Sequence, residues 1–246
     1  MERWVGKVAI VTGASSGIGA AVVQRLARAG MITVGLARRV ERIEALREDL
    51  PVEAGQRIQA HACDVTDEAS ILAAFEFVKR RFGGVDVLIN NAGVAKPQVA
   101  LLSPGNTQDL RTVLDTNVLG LVLCTREAYH SMRARAVAGH IVNVNSIAGH
   151  KYFAFPNLNV YGASKYAVTA ITETLRNDLR NENSKMKVTS ISPGLVRTEL
   201  IPDMPEFHRL PMLEAEDVAG AILYALGTPP HVQVHELIIK PVGESF

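Results

Sequence analysis

Tyr161 and Lys165 stand four residues apart in the run Tyr-Gly-Ala-Ser-Lys, and this spacing places both side chains on one face of a helix. Apolar residues at helical spacing follow the pair and predict such a helix. A free phenol, with a pKa of about 10, is a poor base near neutral pH, but a neighbouring ammonium lowers that pKa. The pair could therefore transfer protons near pH 7, although a surface Tyr beside a solvated Lys has the same spacing.

Two further polar side chains could join this pair. Ser146 ends the predicted strand 140–146, and a loop over residues 147–160 could bring it beside Tyr161 as a hydrogen-bond donor to a substrate oxygen. A nucleophilic role is disfavoured because no Gly-x-Ser-x-Gly motif surrounds Ser146. Asn117 lies in an apolar helical stretch, where a buried amide must find partners. It is either a satisfied core residue or one that holds a kink or a water near the site.

A glycine-rich turn over residues 12–19 separates the predicted strand 7–11 from an alanine-rich helix that reaches residue 29. Gly13, Gly17 and Gly19 have the spacing Gly-x-x-x-Gly-x-Gly, a variant of the dinucleotide-binding fingerprint. Glycine lets a ligand approach the backbone closely, and the helix N-terminus offers free N–H groups to a phosphate. The alternative is an ordinary tight turn between a strand and a helix.

Two arginines follow the second predicted strand, residues 31–36. An acidic residue after this strand would bind the adenosine ribose hydroxyls and favour NAD, but Ala37 stands there instead. A guanidinium matches a phosphate in charge and shape. We therefore predict NADP as the cofactor, with Arg38 as the main contact to its 2′-phosphate and Arg39 as a helper.

Asp64, which follows the third predicted strand, could bind the adenine amino group or cap the helix that begins near residue 67.

The alternation of strands and helices predicts the fold. The pattern is typical of an α/β, Rossmann-type, doubly wound parallel sheet of about seven strands with helices on both faces, in a single domain over residues 1–246. The predicted strands are 7–11, 31–36, 57–62, 85–89, 140–146, 187–191 and 236–240, and the main helices between them include 40–50, 68–82, 107–116, 118–133 and 216–226.

Residues 199–213 combine apolar side chains with several prolines. The apolar residues are Leu200, Ile201, Met204, Phe207, Leu210 and Met212. They suggest a lid over a substrate site, although an ordinary surface excursion has the same composition.

Composition narrows the class of protein. A net charge of +1 gives no electrostatic case for nucleic acid or an anionic membrane, and no apolar run is long enough to span a bilayer. The cysteines Cys63 and Cys124 lack the spacing of a disulfide framework. His231 and His235 lack a third ligand, so no metal site is expected. We expect a cytoplasmic protein.

The motifs together resemble the short-chain dehydrogenase/reductase family, in order and over nearly the whole chain. They are the turn 12–19, the run Asn90-Asn91-Ala92-Gly93, Asn117, Ser146, the run Tyr161–Lys165 and Pro193-Gly194. The resemblance implies that Tyr161 exchanges a proton with the substrate oxygen, that Lys165 lowers the pKa of Tyr161 and binds the nicotinamide ribose, and that Asn117 holds a relay water.

The resemblance also implies a set of cofactor-binding residues and a homodimer or homotetramer. Gly13, Ser15, Ser16, Gly17, Ile18 and Gly19 would cradle the pyrophosphate; Asp64 and Val65 would meet adenine; Asn91, Ala92 and Gly93 would meet the adenosine and ribose; and Pro193, Gly194, Val196 and Thr198 would line the nicotinamide.

Within the family, a closer likeness concerns residues 1–4, 124–129 and 146–150. They are similar to an animal subgroup that includes insect NADP-dependent farnesol dehydrogenases and vertebrate keto-steroid reductases. The first hypothesis is thus an NADP-dependent dehydrogenase of farnesol or a related isoprenoid alcohol. The alternative is an NADPH-dependent carbonyl or keto-steroid reductase. A cofactor-binding regulator without turnover is disfavoured because all four catalytic positions are filled.

Overall fold

One parallel sheet forms the centre of the molecule. The computed structural model describes residues 1–152, 158–201 and 209–244. Its strands are β1 (Val8–Thr12), β2 (Ile32–Ala37), β3 (Ile58–Ala62), β4 (Val87–Asn90), β5 (His140–Val144), β6 (Lys187–Pro193) and β7 (Glu236–Ile239). All pairings are parallel, in the order β3-β2-β1-β4-β5-β6-β7. The predicted seven-stranded, doubly wound sheet is confirmed.

Helices cover both faces of this sheet. They are α1 (Gly17–Arg28), α2 (Val40–Ala45), α3 (Val52–Gly55), α4 (Glu68–Phe82), α5 (Thr107–Leu114), α6 (Leu121–Ala134), α7 (Tyr161–Asn181) and α8 (Ala215–Gly227). Side chains alternate along β1, so Ala9 and Val11 join the core with α1 and α8, whereas Val8 and Ile10 join the core with α4 and α6. Burial on both faces explains why β1 is apolar throughout.

Two helical predictions differ from the structure. The predicted helix 40–50 ends at Ala45, and a separate short helix, α3, begins at Val52 with Pro51 as its N-cap, a place that suits proline because its missing N–H is not needed there. The predicted helices 107–116 and 118–133 are joined by a π-helical turn, Asp115–Gly120, that contains Asn117.

The chain segment that follows β6 has its two ends paired with each other. Val196 pairs with Leu213 as a parallel bridge, and the amide of Leu213 donates to the carbonyl of Leu195 at 2.8 Å. Residues 202–208, which include Met204 and Phe207 of the predicted lid, lie outside the described residues. Among the described helices, none is both long enough and apolar enough to cross a membrane.

Candidate active site

A cleft of about 860 Å³ opens at the carboxyl ends of the strands, where the strand order reverses between β1 and β4. In doubly wound sheets this switch point is where ligands bind. The cleft brings together nearly all the residues that the sequence singled out. Its walls include Gly13, Ser15, Ser16, Gly17, Ile18, Arg38, Arg39, Asp64, Val65, Asn91, Ala92, Gly93, Ser146, Tyr161, Lys165, Pro193, Gly194, Val196 and Thr198. Gly19 and Asn117 are not part of the wall but lie against residues that are: Gly19 packs against the carbonyl of Gly13, and Asn117 is bonded to the amide of Val94.

The glycine-rich turn is braced by the end of β4. Thr12 Oγ1 accepts hydrogen bonds from the amides of Asn91 and Ala92, both at 3.0 Å, and Asn91 Nδ2 donates to the carbonyls of Thr12 at 3.0 Å and Gly13 at 3.2 Å. The side chain of Asn91 is therefore committed to the protein. Sequence reasoning missed Thr12 as the residue that joins the two motifs, although its place at the end of a strand, just before the glycines, was a signal.

The packing around the turn requires glycine at two positions. A Cβ on Gly19 would lie 2.3 Å from the carbonyl oxygen of Gly13, and a Cβ on Gly13, whose φ is +65°, would lie 2.8 Å from the Cα of Ala92. Substitution at either position must therefore displace backbone. The turn is held close against the start of α1 and against the end of β4.

The start of α1 is suited to a phosphate group. Among the described residues, no side chain caps this helix at Ser16, and its first turn contains no acidic residue. Its first N–H groups and the positive end of its dipole are therefore available to an anion at the cleft. The residues present thus fit the pyrophosphate of a dinucleotide.

Arg38 and Arg39 are exposed at the adenosine side of the cleft. Arg39 Nη2 lies 3.3 Å from Ser15 Oγ, 3.4 Å from Ser16 Oγ and 3.1 Å from Glu199 Oε2. The pairing with Glu199 was not predicted, because the two residues are 160 positions apart in the chain.

Asp64 lines the cleft and does not cap the helix that follows. Asp67 is the N-cap of α4, and its own carboxylate accepts from the amide of Ala69 at 3.1 Å. Burial pushes the pKa of Asp64 upward, but hydrogen bonds from the amide and hydroxyl of Thr66 and the charge of Arg38 lower it overall. Of the two alternatives for Asp64, the capping role is wrong.

The end of β6 borders the opposite side of the cleft. Thr198 approaches the glycine-rich turn so closely that a Cβ on Gly17 would lie 2.9 Å from Thr198 Cγ2. The segment from Pro193 to Thr198 therefore crosses from the catalytic side of the cleft to the phosphate side.

Tyr161 and Ser146 form a hydroxyl pair in the cleft. Tyr161 is the first residue of α7, and Ser146 follows β5, where its Oγ also accepts from the amide of Ala148 at 3.1 Å. Desolvation raises the pKa of Tyr161, and the side-chain hydrogen bond with Ser146 lowers it by a smaller amount. The phenol therefore keeps its proton at neutral pH.

Lys165 lies one helical turn beyond Tyr161 and is buried. Its Nζ donates to the carbonyl of Val144 at 3.0 Å and lies 5.8 Å from the centre of the Tyr161 ring. Burial lowers the pKa of Lys165 to about 8. Desolvation dominates the pKa of Tyr161, and the ammonium of Lys165 is directed to Val144, so the expectation that Lys165 lowers the pKa of Tyr161 stays a prediction.

Asn117 is bonded at both ends of its amide. Its Oδ1 accepts from the amide of Val94 at 2.8 Å, and its Nδ2 donates to the carbonyl of Val94 and to Ser164 Oγ, both at 3.0 Å. Ser164 Oγ in turn donates to the carbonyl of Tyr161 at 2.6 Å. The π-helical turn, a feature frequent at functional sites, thus connects the Val94 loop to the first turn of α7.

Comparison with known proteins identifies the family of this chain. A family model described as "short chain dehydrogenase" matches residues 7–208. The chain belongs to this family. The short-chain dehydrogenase is accordingly an oxidoreductase with a nicotinamide cofactor, and the family resemblance found from the sequence is confirmed.

Individual relatives cover the whole chain. This short-chain dehydrogenase is 61% identical to a farnesol dehydrogenase of Aedes aegypti over 246 residues, which is 100% of both chains. It is 46% identical to dehydrogenase/reductase SDR family member 11 of Gallus gallus, with 99% of each chain covered. Among solved structures, an alcohol dehydrogenase from the archaeon Thermococcus sibiricus complexed with 5-hydroxy-NADP has a TM-score of 0.85 at 27% identity, with 98% of each chain covered.

Proposed function

We propose that this chain is an NADP-dependent oxidoreductase that interconverts a hydrophobic alcohol and its carbonyl, with farnesol and farnesal as the preferred pair. The observation that carries the choice of substrate is the 61% identity to a farnesol dehydrogenase over the full length of both chains. The hydroxyl pair beside Lys165 in the cleft supplies the groups that the reaction needs.

Tyr161 is the proposed acid and base of the reaction. In alcohol oxidation its phenolate takes the hydroxyl proton, and in carbonyl reduction its phenol returns a proton to the oxygen. Ser146 donates a hydrogen bond to the same oxygen and holds it next to Tyr161. The nicotinamide ring, when bound, supplies the hydride chemistry.

Lys165 and Asn117 are assigned supporting roles. Lys165, still largely protonated at neutral pH because its pKa is about 8, would bind the nicotinamide ribose. A bound ribose could draw the ammonium from Val144 towards Tyr161 and so favour the phenolate. Asn117 fixes the Val94 loop and the start of α7, and the π-helical turn around it is the proposed site of a relay water.

For the cofactor, we propose the same binding residues that the family resemblance of the sequence implies. The start of α1 would bind the pyrophosphate, Asp64 and Val65 the adenine, Asn91, Ala92 and Gly93 the adenosine and ribose side, and the segment from Pro193 to Thr198 the nicotinamide. Arg38 and Arg39 would bind the 2′-phosphate, which is the reason for proposing NADP over NAD. Because the Nδ2 and the backbone amide of Asn91 are already bonded to the residues of the turn, its contribution would come from its oxygen atoms.

Three further features belong to the same proposal. Residues 199–213 would close over the apolar substrate as a lid. The chain would form a homodimer or homotetramer and act in the cytoplasm. Both cysteines are free and buried, as suits a reducing compartment.

A second candidate is reduction of a carbonyl, including a keto-steroid, with NADPH. It is favoured by the 46% identity to a relative named dehydrogenase/reductase. The raised pKa of Tyr161 also suits this direction, since a protonated phenol is the form that donates to a carbonyl oxygen.

Initial rates with three alcohols would test the proposal: farnesol, a short aliphatic alcohol and a hydroxysteroid, each with NADP and with NAD. The proposal expects the highest kcat/KM for farnesol with NADP. A hydroxysteroid rate without a farnesol rate would select the second candidate. Equal rates with NAD and NADP would remove the cofactor assignment, and no turnover of any of the three would remove both substrate assignments.

A further inference from the structure

An ion-pair cluster links the loop after β6 to the arginines beside the glycine-rich turn. Glu199 Oε2 accepts from Arg39 at 3.1 Å, and Glu199 Oε1 accepts from Arg42 at 2.7 Å. The three side chains are about half exposed. Hydrogen bonds from Arg42 and from Arg39 lower the pKa of Glu199, so its carboxylate is charged throughout the neutral range.

The atom of Arg39 that binds Glu199 also faces the turn before α1. The same Nη2 lies 3.3 Å from Ser15 Oγ and 3.4 Å from Ser16 Oγ. A phosphate that approached Arg39 from the cleft would therefore meet a guanidinium already bound to a carboxylate. Nη2 carries only two N–H donors, so a phosphate that binds Arg39 through Nη2, on the side of the turn, must displace or share that carboxylate.

We infer that Glu199 is a specificity-determining residue that competes with the 2′-phosphate of the cofactor for Arg39. The inference rests on the proposed use of NADP. NAD lacks the 2′-phosphate and does not enter this competition, so Glu199 reduces the advantage of NADP over NAD. When the phosphate takes Arg39, Glu199 keeps its second partner, Arg42.

The exchange also reaches the predicted lid. Glu199 directly follows Thr198, which contacts Gly17 across the cleft. The bond between Glu199 and Arg39 thus ties the first residues of the excursion to the cofactor side of the site.

Calorimetric titration of the full chain with adenosine 2′,5′-bisphosphate and with AMP tests the competition, because the two probes differ only in the 2′-phosphate and contain no nicotinamide. For Glu199→Gln we expect the bisphosphate to bind roughly two- to five-fold more tightly, as fits one exposed ion pair, and AMP to bind as before. The matched control is Glu216→Gln, whose carboxylate is also half exposed and pairs with Arg25 at 2.7 Å outside the cleft. It should change neither titration.

A second variant acts in the opposite direction. Arg42→Gln removes the other partner of Glu199, so the carboxylate should hold Arg39 more strongly and the bisphosphate should bind more weakly. In a Glu199→Gln background, Arg42→Gln should have no further effect on the bisphosphate. This double-mutant cycle separates an effect through Glu199 from direct contact between Arg42 and the phosphate.

The outcomes separate the two proposals. A wild-type chain that binds both nucleotides equally would overturn the NADP preference. A wild-type preference for the bisphosphate that Glu199→Gln leaves unchanged or reduces would overturn the competition and leave NADP use standing. Equal tightening of both nucleotides would also overturn the competition, since AMP has no 2′-phosphate.

Discussion

The two ends of the cleft use charge in opposite ways. At the adenosine end, the guanidinium groups of Arg38 and Arg39 are exposed to solvent. At the catalytic end, Lys165 is only 6% exposed and the phenol of Tyr161 is desolvated. Burial lowers the pKa of Lys165 and raises the pKa of Tyr161, so it favours the neutral form of each group. The first environment suits recognition of an anion, and the second suits proton transfer. Substitutions at the two ends should accordingly affect different measurements.

The substitution with the largest expected effect at the catalytic end is Lys165→Met. Activity should fall at least about 100-fold, because the ammonium beside the proton-transfer group is lost. Stability should not fall, since the pKa of Lys165 is lowered from 10.5 to about 8 on folding and the buried charge therefore costs stability at every pH below about 8. The measurements are alcohol oxidation rate and thermal midpoint at pH 7. A fall in midpoint that matched the loss of activity would mean that Lys165 is structural.

The adenosine end is tested by Arg38→Asp. Loss of one charge-assisted contact should lower kcat/KM with NADP by roughly 10- to 100-fold, and the new carboxylate should improve use of NAD by binding the ribose hydroxyls. The control is Arg80→Asp, an exposed charge reversal on α4, outside the cleft. If Arg38→Asp retained the original preference for NADP, the assignment of Arg38 would be wrong.

His140 sharpens the comparison by separating burial from function. It begins β5, at the opposite end of the strand from Ser146. Burial, helped by the charges of Lys187 and Arg3, lowers the pKa of His140 to about 3. Its Nε2 lies 2.8 Å from Thr189 Oγ1, which donates to the carbonyl of Val234, so Nε2 carries the proton. Among the described residues, its Nδ1 is buried without a hydrogen-bond partner.

Protonation of His140 on unfolding should therefore destabilise the wild type in acid. The folded pKa is depressed, so the unfolded state binds the extra proton between pH 6.5 and about 3, and stability falls as pH falls through that window. The slope from this one group is about 1.4 kcal/mol per pH unit. Denaturant unfolding from pH 7 to pH 4 should show a steeper loss for the wild type than for His140→Gln. Equal slopes would contradict the pKa shift.

The sequence predicted the sheet and the composition of the cleft because both depend on local patterns. The β-branched run before residue 12 and the glycines after it determine a strand, a turn and a helix, and parallel strands necessarily bring their carboxyl ends to one edge. This placed residues as distant as Arg38 and Tyr161 at the same cleft.

Sequence reasoning failed where contacts depend on packing between distant segments. The ion pair of Arg39 with Glu199 and the bracing of the glycine-rich turn by Asn91 require the sheet order and the path of the loop after β6. The direction of the Tyr161 pKa shift depends on how much water the folded site excludes, and residue spacing does not report this.

The most direct test of the central claim is the effect of Tyr161→Phe on both chemistry and cofactor binding, with Tyr166→Phe, an exposed tyrosine on the same helix, as control. The account predicts that Tyr161→Phe lowers kcat for farnesol oxidation at least about 100-fold, because the proton acceptor is gone, and leaves the Kd for NADP within about two-fold of wild type. The control should match wild type in both. A Tyr161→Phe enzyme that retained full turnover would contradict the proposed mechanism.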